Sequence, residues 1–245
     1  MYKIGSLFSG IGGFELGLER AIPAKTIWQV EQDKFCQSIL KKHWPEAKIY
    51  SDVRNITKEN VEPVDILCGG FPCQNISRCA DMKGVQGEKS GLWWEMWRII
   101  GELRPKIVVL ENVSTILQVG GKEVLGSLAG LGYDAEWGIV PASSVGANHR
   151  RKRWWAVCYA SNTNTRPKKR KIQTRGKKFK NGAFGTSWNH WKSSTTEPPF
   201  CGMDDGIPSR MARLKALGNS IVPQCSQWIG EQIWNSGILQ GSKHV

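Results

Sequence analysis

Tyr2-Lys3-Ile4-Gly5-Ser6-Leu7-Phe8, running into Ser9-Gly10-Ile11-Gly12-Gly13, is the stretch that decides the fold. The first part reads as a strand, the glycine-rich run as a turn, and the residues through Arg20 as a helix. Glycines let the backbone come close to a ligand, and a helix start offers unpaired N–H groups. Strand, turn and helix together therefore read as a nucleotide-type cofactor site. Such turns also arise for purely conformational reasons. The next segment, Thr26-Ile27-Trp28-Gln29-Val30, reads as a second strand ending at Glu31. An acid about 20 residues past the turn is suited to accept hydrogen bonds from ribose hydroxyls. A helix over Asp33 to Lys42 and a short strand around Ile49 lead to Asp52-Val53, where a second carboxylate suits an adenine amino group. Without the glycine turn beside them, Glu31 and Asp52 read equally well as solvated loop acids.

Further along, the apolar run Val64-Asp65-Ile66-Leu67-Cys68 predicts a short buried strand, and Gly69-Gly70-Phe71-Pro72-Cys73-Gln74-Asn75-Ile76-Ser77 its turn. Ligands in open α/β sheets bind outside the carboxyl ends of strands, so chemistry is expected here. Pro72 fixes its own φ and pushes Phe71 toward extended geometry, holding Cys73 in one orientation. Taken alone, Cys73 reads as a space-filling thiol, the usual habit of free cysteine. Leu92-Trp93-Trp94-Glu95-Met96-Trp97-Arg98-Ile99-Ile100 has helical periodicity, with tryptophans suited to core or cofactor-wall packing. Ile107-Val108-Val109-Leu110 is a further buried strand, ending in Glu111-Asn112-Val113, an acid at the same sheet edge as Cys73. A helix over Gly120–Gly130 and a strand over Tyr133–Val140 follow. Asn148-His149-Arg150-Arg151-Lys152-Arg153 then precedes the strand Trp154–Tyr159. In extended chain Arg151 and Arg153 share one face and Lys152 the other, so one face reaches the site and the other meets solvent or phosphate.

Composition narrows the class. A formal net charge of +13 with pI near 9.5 points to a polyanion, nucleic acid first. No apolar run approaches the roughly 20 residues of a membrane span, and the chain opens directly into a strand with no signal-peptide leader. The seven cysteines are odd in number and scattered, fitting neither a disulfide framework nor a zinc pattern. The expectation is a cytoplasmic, metal-free protein. Composition shifts at Ala160: Arg166 to Lys180 holds nine Lys/Arg and no acid. Lys168, Lys169, Arg170, Lys171, Lys177 and Lys178 are read as phosphate contacts, and Met211–Leu217 and Gln224–Trp234 as returning helices.

These motifs, in this order, resemble the cytosine-5 DNA methyltransferase family over essentially the whole chain. Ser6-Leu7-Phe8-Ser9-Gly10-Ile11-Gly12-Gly13-Phe14 resembles its cofactor turn, and Gly70-Phe71-Pro72-Cys73-Gln74 its nucleophile loop. Glu111-Asn112-Val113 resembles its acid motif. Leu217-Gly218-Asn219-Ser220-Ile221-Val222-Pro223 resembles its closing motif, which in the family returns beside the cofactor. Three departures stand out. His149 replaces glutamine in the Gln-x-Arg-x-Arg motif, and Gln32 stands where an adenine-stacking aromatic is common. The variable region, about Ala160 to Arg210, is short.

The resemblance implies an α/β, Rossmann-like S-adenosylmethionine-dependent fold. Residues 1–160 with 211–245 would form the catalytic domain, and 161–210 a small, irregular, basic DNA target-recognition region. It further implies a cofactor pocket from Phe8, Gly10, Ile11, Gly12, Gly13, Glu31, Gln32, Asp52, Val53, Leu92, Asn219 and Ser220. Catalysis would fall to Pro72, Cys73, Glu111, Arg151 and Arg153, with Gln74, Ser77 and Arg150 joining the basic run on DNA. The implied reaction adds the Cys73 thiolate to C6 of a flipped cytosine, Glu111 assisting at N3, before methylation at C5. Arg151 and Arg153 would favour the thiolate, Arg153 also reaching the base carbonyl. The setting suggested by analogy is a restriction–modification system or mobile element, with a monomer acting on double-stranded DNA in a bacterial or phage-infected cell. Two rivals remain: the family's transfer-RNA branch, whose loop typically carries Pro-Pro-Cys, and a non-catalytic DNA-binding member of the fold.

Overall fold

The computed structural model describes residues 1–72, 91–160 and 216–240. Five parallel strands are laid down first: β1 (Tyr2–Leu7), β2 (Ala24–Val30), β3 (Lys48–Tyr50), β4 (Ile66–Gly69) and β5 (Ile107–Val113). β6 (Tyr133–Pro141) and β7 (Lys152–Ala160) complete a seven-stranded sheet in the order β3-β2-β1-β4-β5-β7-β6. β7 runs antiparallel to both its neighbours. The crossover helices are α1 (Gly13–Ala21), α2 (Lys34–His43), α3 (Leu92–Leu103), the short α4 (Ile116–Val119) and α5 (Gly121–Gly130); α6 (Pro223–Ser236) closes the described fold. Strand order reverses at β1, flanked by β2 on one side and β4 on the other. Open α/β sheets bind ligands at such a switch point, and the Ser9–Gly13 and Gly70–Pro72 turns leave the two strands beside it.

Local chemistry explains the boundaries. Asp33 caps α2 through its side chain, accepting from the Phe35 and Cys36 N–H groups, so the helix starts one residue later than the sequence pattern suggests. α6 begins with Pro223 at a position where a missing N–H costs nothing and ends at Gly237, φ +73°. The predicted Gly120–Gly130 helix is α5, starting one residue later, and the short α4 precedes it across Gly120. β7 starts at Lys152 rather than Trp154, because Lys152 and Arg153 pair with Pro141 and Val140. Residues 216–219 form one helical turn before an extended segment to Pro223, where the sequence suggests a plain turn.

Each sheet face carries its own core. One face gathers Leu7, Leu67, Phe71, Val108, Leu110 and Trp154 under α3 and α5, with Trp93, Met96 and Leu128. The other gathers Ile4, Ile66, Ile107, Val109 and Trp155 under α1 and α6, with Phe14, Leu18, Ile229 and Ile233. Alternation along a strand therefore sends adjacent tryptophans, Trp154 and Trp155, into opposite cores. Fully burying side chains of this kind contributes roughly 1.5–3 kcal/mol each.

Candidate active site

The cofactor turn is tied down from below and from the side. Ser9 N–H donates to Val30 O at 3.0 Å and Gly12 N–H to Ser9 O at 3.0 Å. Phe8 and Gly10 both take φ +57°, a strained value for a phenylalanine and an easy one for glycine. Glu31 braces the turn: one oxygen accepts from Gly10 N–H at 2.7 Å, the other from Asp33 N–H at 2.8 Å. A carboxylate has about four acceptor directions, so Glu31 keeps capacity for ribose hydroxyls. Beneath the turn, Glu15 is fully buried, accepts from Gln29 Nε2 at 3.1 Å, and is pushed toward its neutral form by burial.

Asp52 lies at the end of the β3 segment, where it caps the Val53–Asn55 turn by accepting from Arg54 N–H at 2.9 Å. That hydrogen bond holds its pKa below the usual range. Val53 is buried, Leu92 packs against the same core as Phe8, and Gln32 is exposed. The donor set fits S-adenosylmethionine. Glu31 and Asp52 offer two carboxylates, Phe8, Val53 and Leu92 offer apolar surface, and Gly10 has no atom near where a Cβ would lie.

On the other side of the switch point, β4 delivers Gly69-Gly70-Phe71-Pro72. Phe71 is buried and packs on Trp93 with ring centroids 4.8 Å apart. Asn112 Nδ2 donates to Phe71 O at 2.8 Å. Cys73, Gln74 and Ser77 lie outside the described residues, as do Lys168, Lys169, Arg170, Lys171, Lys177 and Lys178. Arg150 is exposed and Pro72 opens to solvent.

Glu111 sits near the end of the β5 ladder, opposite Trp155, and is only 8% exposed. A Cβ on Gly70 would lie 3.0 Å from Glu111 Oε2, so glycine is what lets the loop pass over the carboxylate. Burial pushes the Glu111 pKa up to about 7, against the opposing pull of Arg153 and then Arg151. Arg153 Nε pairs with Glu111 Oε1 at 3.1 Å. Arg151 instead sends Nη2 to Gly218 O at 3.0 Å and Ser220 O at 2.8 Å. The predicted shared face of Arg151 and Arg153 is present, with Lys152 exposed on the other side.

The extended segment after Ser220 closes the arrangement. A Cβ on Gly13 would run into Ile221 O, and one on Gly70 would lie 3.5 Å from Ile221 Cδ1. Ile221 thus touches both turns. Ser226 Oγ donates to Phe14 O at 2.6 Å, docking α6 on α1. Asn219 is exposed and Ser220 half-buried, its hydroxyl donating to Leu217 O at 2.9 Å. Sequence reasoning does not single out Asn112 or Ile221 as site residues. Both lie within motifs already noted, and only their contacts separate them from their neighbours.

The sheet order, with its reversal at β1 and the glycine turn leaving that strand, defines a Rossmann-like fold. The family model for C-5 cytosine-specific DNA methylases matches residues 2–196, and the chain belongs to that family. Type II methyltransferase M.CviJI of Paramecium bursaria Chlorella virus IL3A is 29% identical over 219 residues, covering 89% of this chain and 55% of that protein. Type II methyltransferase M.HhaI of Haemophilus parahaemolyticus is 30% identical over 162 residues, covering 64% and 49% respectively. The chain spans about half the length of the curated relatives it matches. Among solved structures, a putative DNA modification methyltransferase encoded within an E. coli prophage superposes with TM-score 0.54 at 27% identity. It covers 65% of this chain and 47% of that one. A DNMT2 variant from Spodoptera frugiperda superposes at TM-score 0.58 and 20% identity, over 69% and 53%, a likeness of fold alone.

Proposed function

We propose that this chain is a DNA (cytosine-5)-methyltransferase that uses S-adenosylmethionine to methylate a flipped cytosine in double-stranded DNA. The observation that carries the reading is the seating of Glu111, a nearly buried acid, between Gly70 and Arg153 beside the Gly70–Pro72 turn. Cytosine C5 is a poor nucleophile until the ring is activated. Cys73 thiolate adds to C6 and electron density moves toward N3, where Glu111 delivers its proton. The cofactor supplies the electrophilic methyl group that C5 then takes up. Loss of the C5 proton to solvent restores the C5–C6 double bond and expels Cys73 as thiolate, while N3 returns its proton to Glu111. Burial raises the Glu111 pKa toward neutrality, so the protonated form is within reach at neutral pH, the condition general acid catalysis favours. Arg153 holds the carboxyl in orientation and adds positive charge beside the developing anion.

Gly10, Glu31, Asp52 and Val53 would hold the adenosine, and the Ser220–Ile221 segment would close over it. DNA contact is assigned to 161–210. The residues from 161 to 215 carry thirteen Lys/Arg against three Asp/Glu, whereas the described residues nearly balance. The chain would act as a cytoplasmic monomer, in a restriction–modification or mobile-element setting.

The test is covalent trapping on duplex DNA containing 5-fluorocytosine, where C5 cannot lose a proton and the adduct persists. An adduct that requires cofactor and is lost in Cys73→Ser is expected. Trapping on transfer RNA but not DNA would move the reading to the RNA branch. No adduct on either polymer would mean a non-catalytic binding protein. Bisulfite sequencing of DNA from cells expressing the chain then gives the methylated sequence.

A further inference from the structure

Arg151, just before β7, and Arg153, within it, stand two residues apart, yet they spend their donors differently. Arg153 pairs with Glu111 at 3.1 Å. Arg151 gives both of its cross-chain hydrogen bonds to backbone carbonyls, Gly218 O at 3.0 Å and Ser220 O at 2.8 Å, 67 and 69 residues further along the chain. Those carbonyls belong to the strap of residues 218–222, whose Ile221 lies against both ligand-facing turns. Its carbonyl oxygen occupies the place a Gly13 Cβ would need, and its Cδ1 lies 3.5 Å from a Gly70 Cβ position. In the half of the strap before Ile221, Gly218 and Asn219 face solvent and Ser220 is half-buried. Among the described residues, the cross-chain hydrogen bonds that anchor this half come from Arg151.

We propose that Arg151 is a positioning residue for the cofactor pocket: it clamps the 218–220 backbone and thereby sets Ile221 against the cofactor turn. This divides the arginine pair, Arg153 serving the base and its acid, Arg151 serving the cofactor wall. Charge-assisted hydrogen bonds to carbonyls are strong, and both leave Nη2 at the far end of the guanidinium, a reach that an ammonium on a shorter stem does not match. Lysine at 151 keeps the positive charge near Glu111, Arg153 and the Cys225 thiol while losing that reach. A pure charge role would survive that substitution; a clamp would not.

The inference rests on the methyltransferase reading, and its test separates the two. Binding of S-adenosylmethionine to the full chain, without DNA, is measured by calorimetry for wild type, Arg151→Lys, Arg153→Lys, Ile221→Ala and the Arg151→Lys/Ile221→Ala double variant. Arg151→Lys and Ile221→Ala are each expected to weaken binding about tenfold, consistent with loss of one strong hydrogen bond or its packing. The double variant should bind about as weakly as either single one, because both act through one strap. Arg153→Lys should stay within about twofold of wild type. Arg151→Lys binding like wild type, or effects that multiply in the double variant, would overturn the clamp while leaving the methyltransferase reading intact. Losses of affinity that merely track lowered melting temperature across all variants would overturn it too. Wild type that binds no cofactor would overturn the methyltransferase reading itself. Should Arg151→Lys not fold, hydrogen exchange on wild type decides: amides of residues 218–222 must slow when cofactor is added, and unchanged exchange rejects the clamp.

Discussion

Seating Glu111 between Gly70 and Arg153 raises its pKa from the usual carboxyl range to about 7, with burial the larger cause and the two guanidiniums opposing it. The shift carries a stability consequence. Between pH 4.5 and 7 the folded chain keeps the Glu111 proton while the unfolded chain releases it. Stability from this group is therefore present at low pH and lost as pH rises through that window, by up to about 3 kcal/mol. Glu111→Gln removes the titration while retaining an oxygen for Arg153. Its melting temperature should exceed wild type at pH 8 and match it near pH 4.5, while turnover falls on the order of 10²–10⁴-fold. An equal melting gap at both pH values would show that Glu111 bears no ionisation cost. The next residue works on the other sheet face. Asn112 donates to Phe71 O at 2.8 Å inside the core that holds Trp93. Asn112→Ala leaves that carbonyl buried and unpaired, costing about 1–3 kcal/mol. Single-turnover methylation should slow while cofactor affinity holds; a parallel fall in both would place Asn112 in a general structural role instead.

Among the elements, α1 is the one most constrained by what crosses it. Gly13, its first residue, would drive a Cβ into the Ile221 carbonyl oxygen, a backbone atom that cannot turn aside. Gly13→Ala should push α1 and the strap apart, costing about 1–3 kcal/mol and weakening cofactor binding. Gly126, on the exposed side of α5, has no atom within 4 Å of its Cβ position. Gly126→Ala should stabilise by about 0.5–1 kcal/mol through helix propensity alone. Denaturant melts of the two variants make the comparison; equal effects would mean the strap yields freely. The same elements show what sequence makes legible. Strands β1, β2, β4 and β5 are read from their apolar runs, because buried parallel strands have little else to vary. The start of β7 at Lys152 escapes that reading, since two cations hide a pairing that only the β6 partners reveal. The break at Gly120 and the α2 cap at Asp33 shift boundaries by a residue or so. In the site, Glu31 and Glu111 stand out as acids ending strands. The separate tasks of Arg151 and Arg153 do not, because alternation gives a shared face and says nothing of which partner each one finds there.

At the scale of the whole molecule, charge is segregated. Residues 1–72, 91–160 and 216–240 hold seventeen Lys/Arg and sixteen Asp/Glu, close to neutral, while the net +13 of the chain comes almost entirely from elsewhere. A near-neutral stretch of chain gains little from counterion release, so affinity for a polyanion should reside in the 161–210 region proposed to meet DNA. Lys169, Arg170 and Lys171 are the centre of its densest run. Replacing all three with glutamine should weaken every duplex by a similar factor and flatten the salt dependence. The log–log slope falls by about 0.9 for each phosphate that is no longer neutralised. The methylated sequence context should survive, because phosphate contacts fix position without reading bases. Affinities across a salt series, with bisulfite sequencing of the same variant, test both halves of the claim. An unchanged slope would mean that the run is solvated and that phosphates are met elsewhere in the chain. A changed sequence context would mean that these side chains reach base edges, and that the division between a basic positioning segment and separate base readers is wrong.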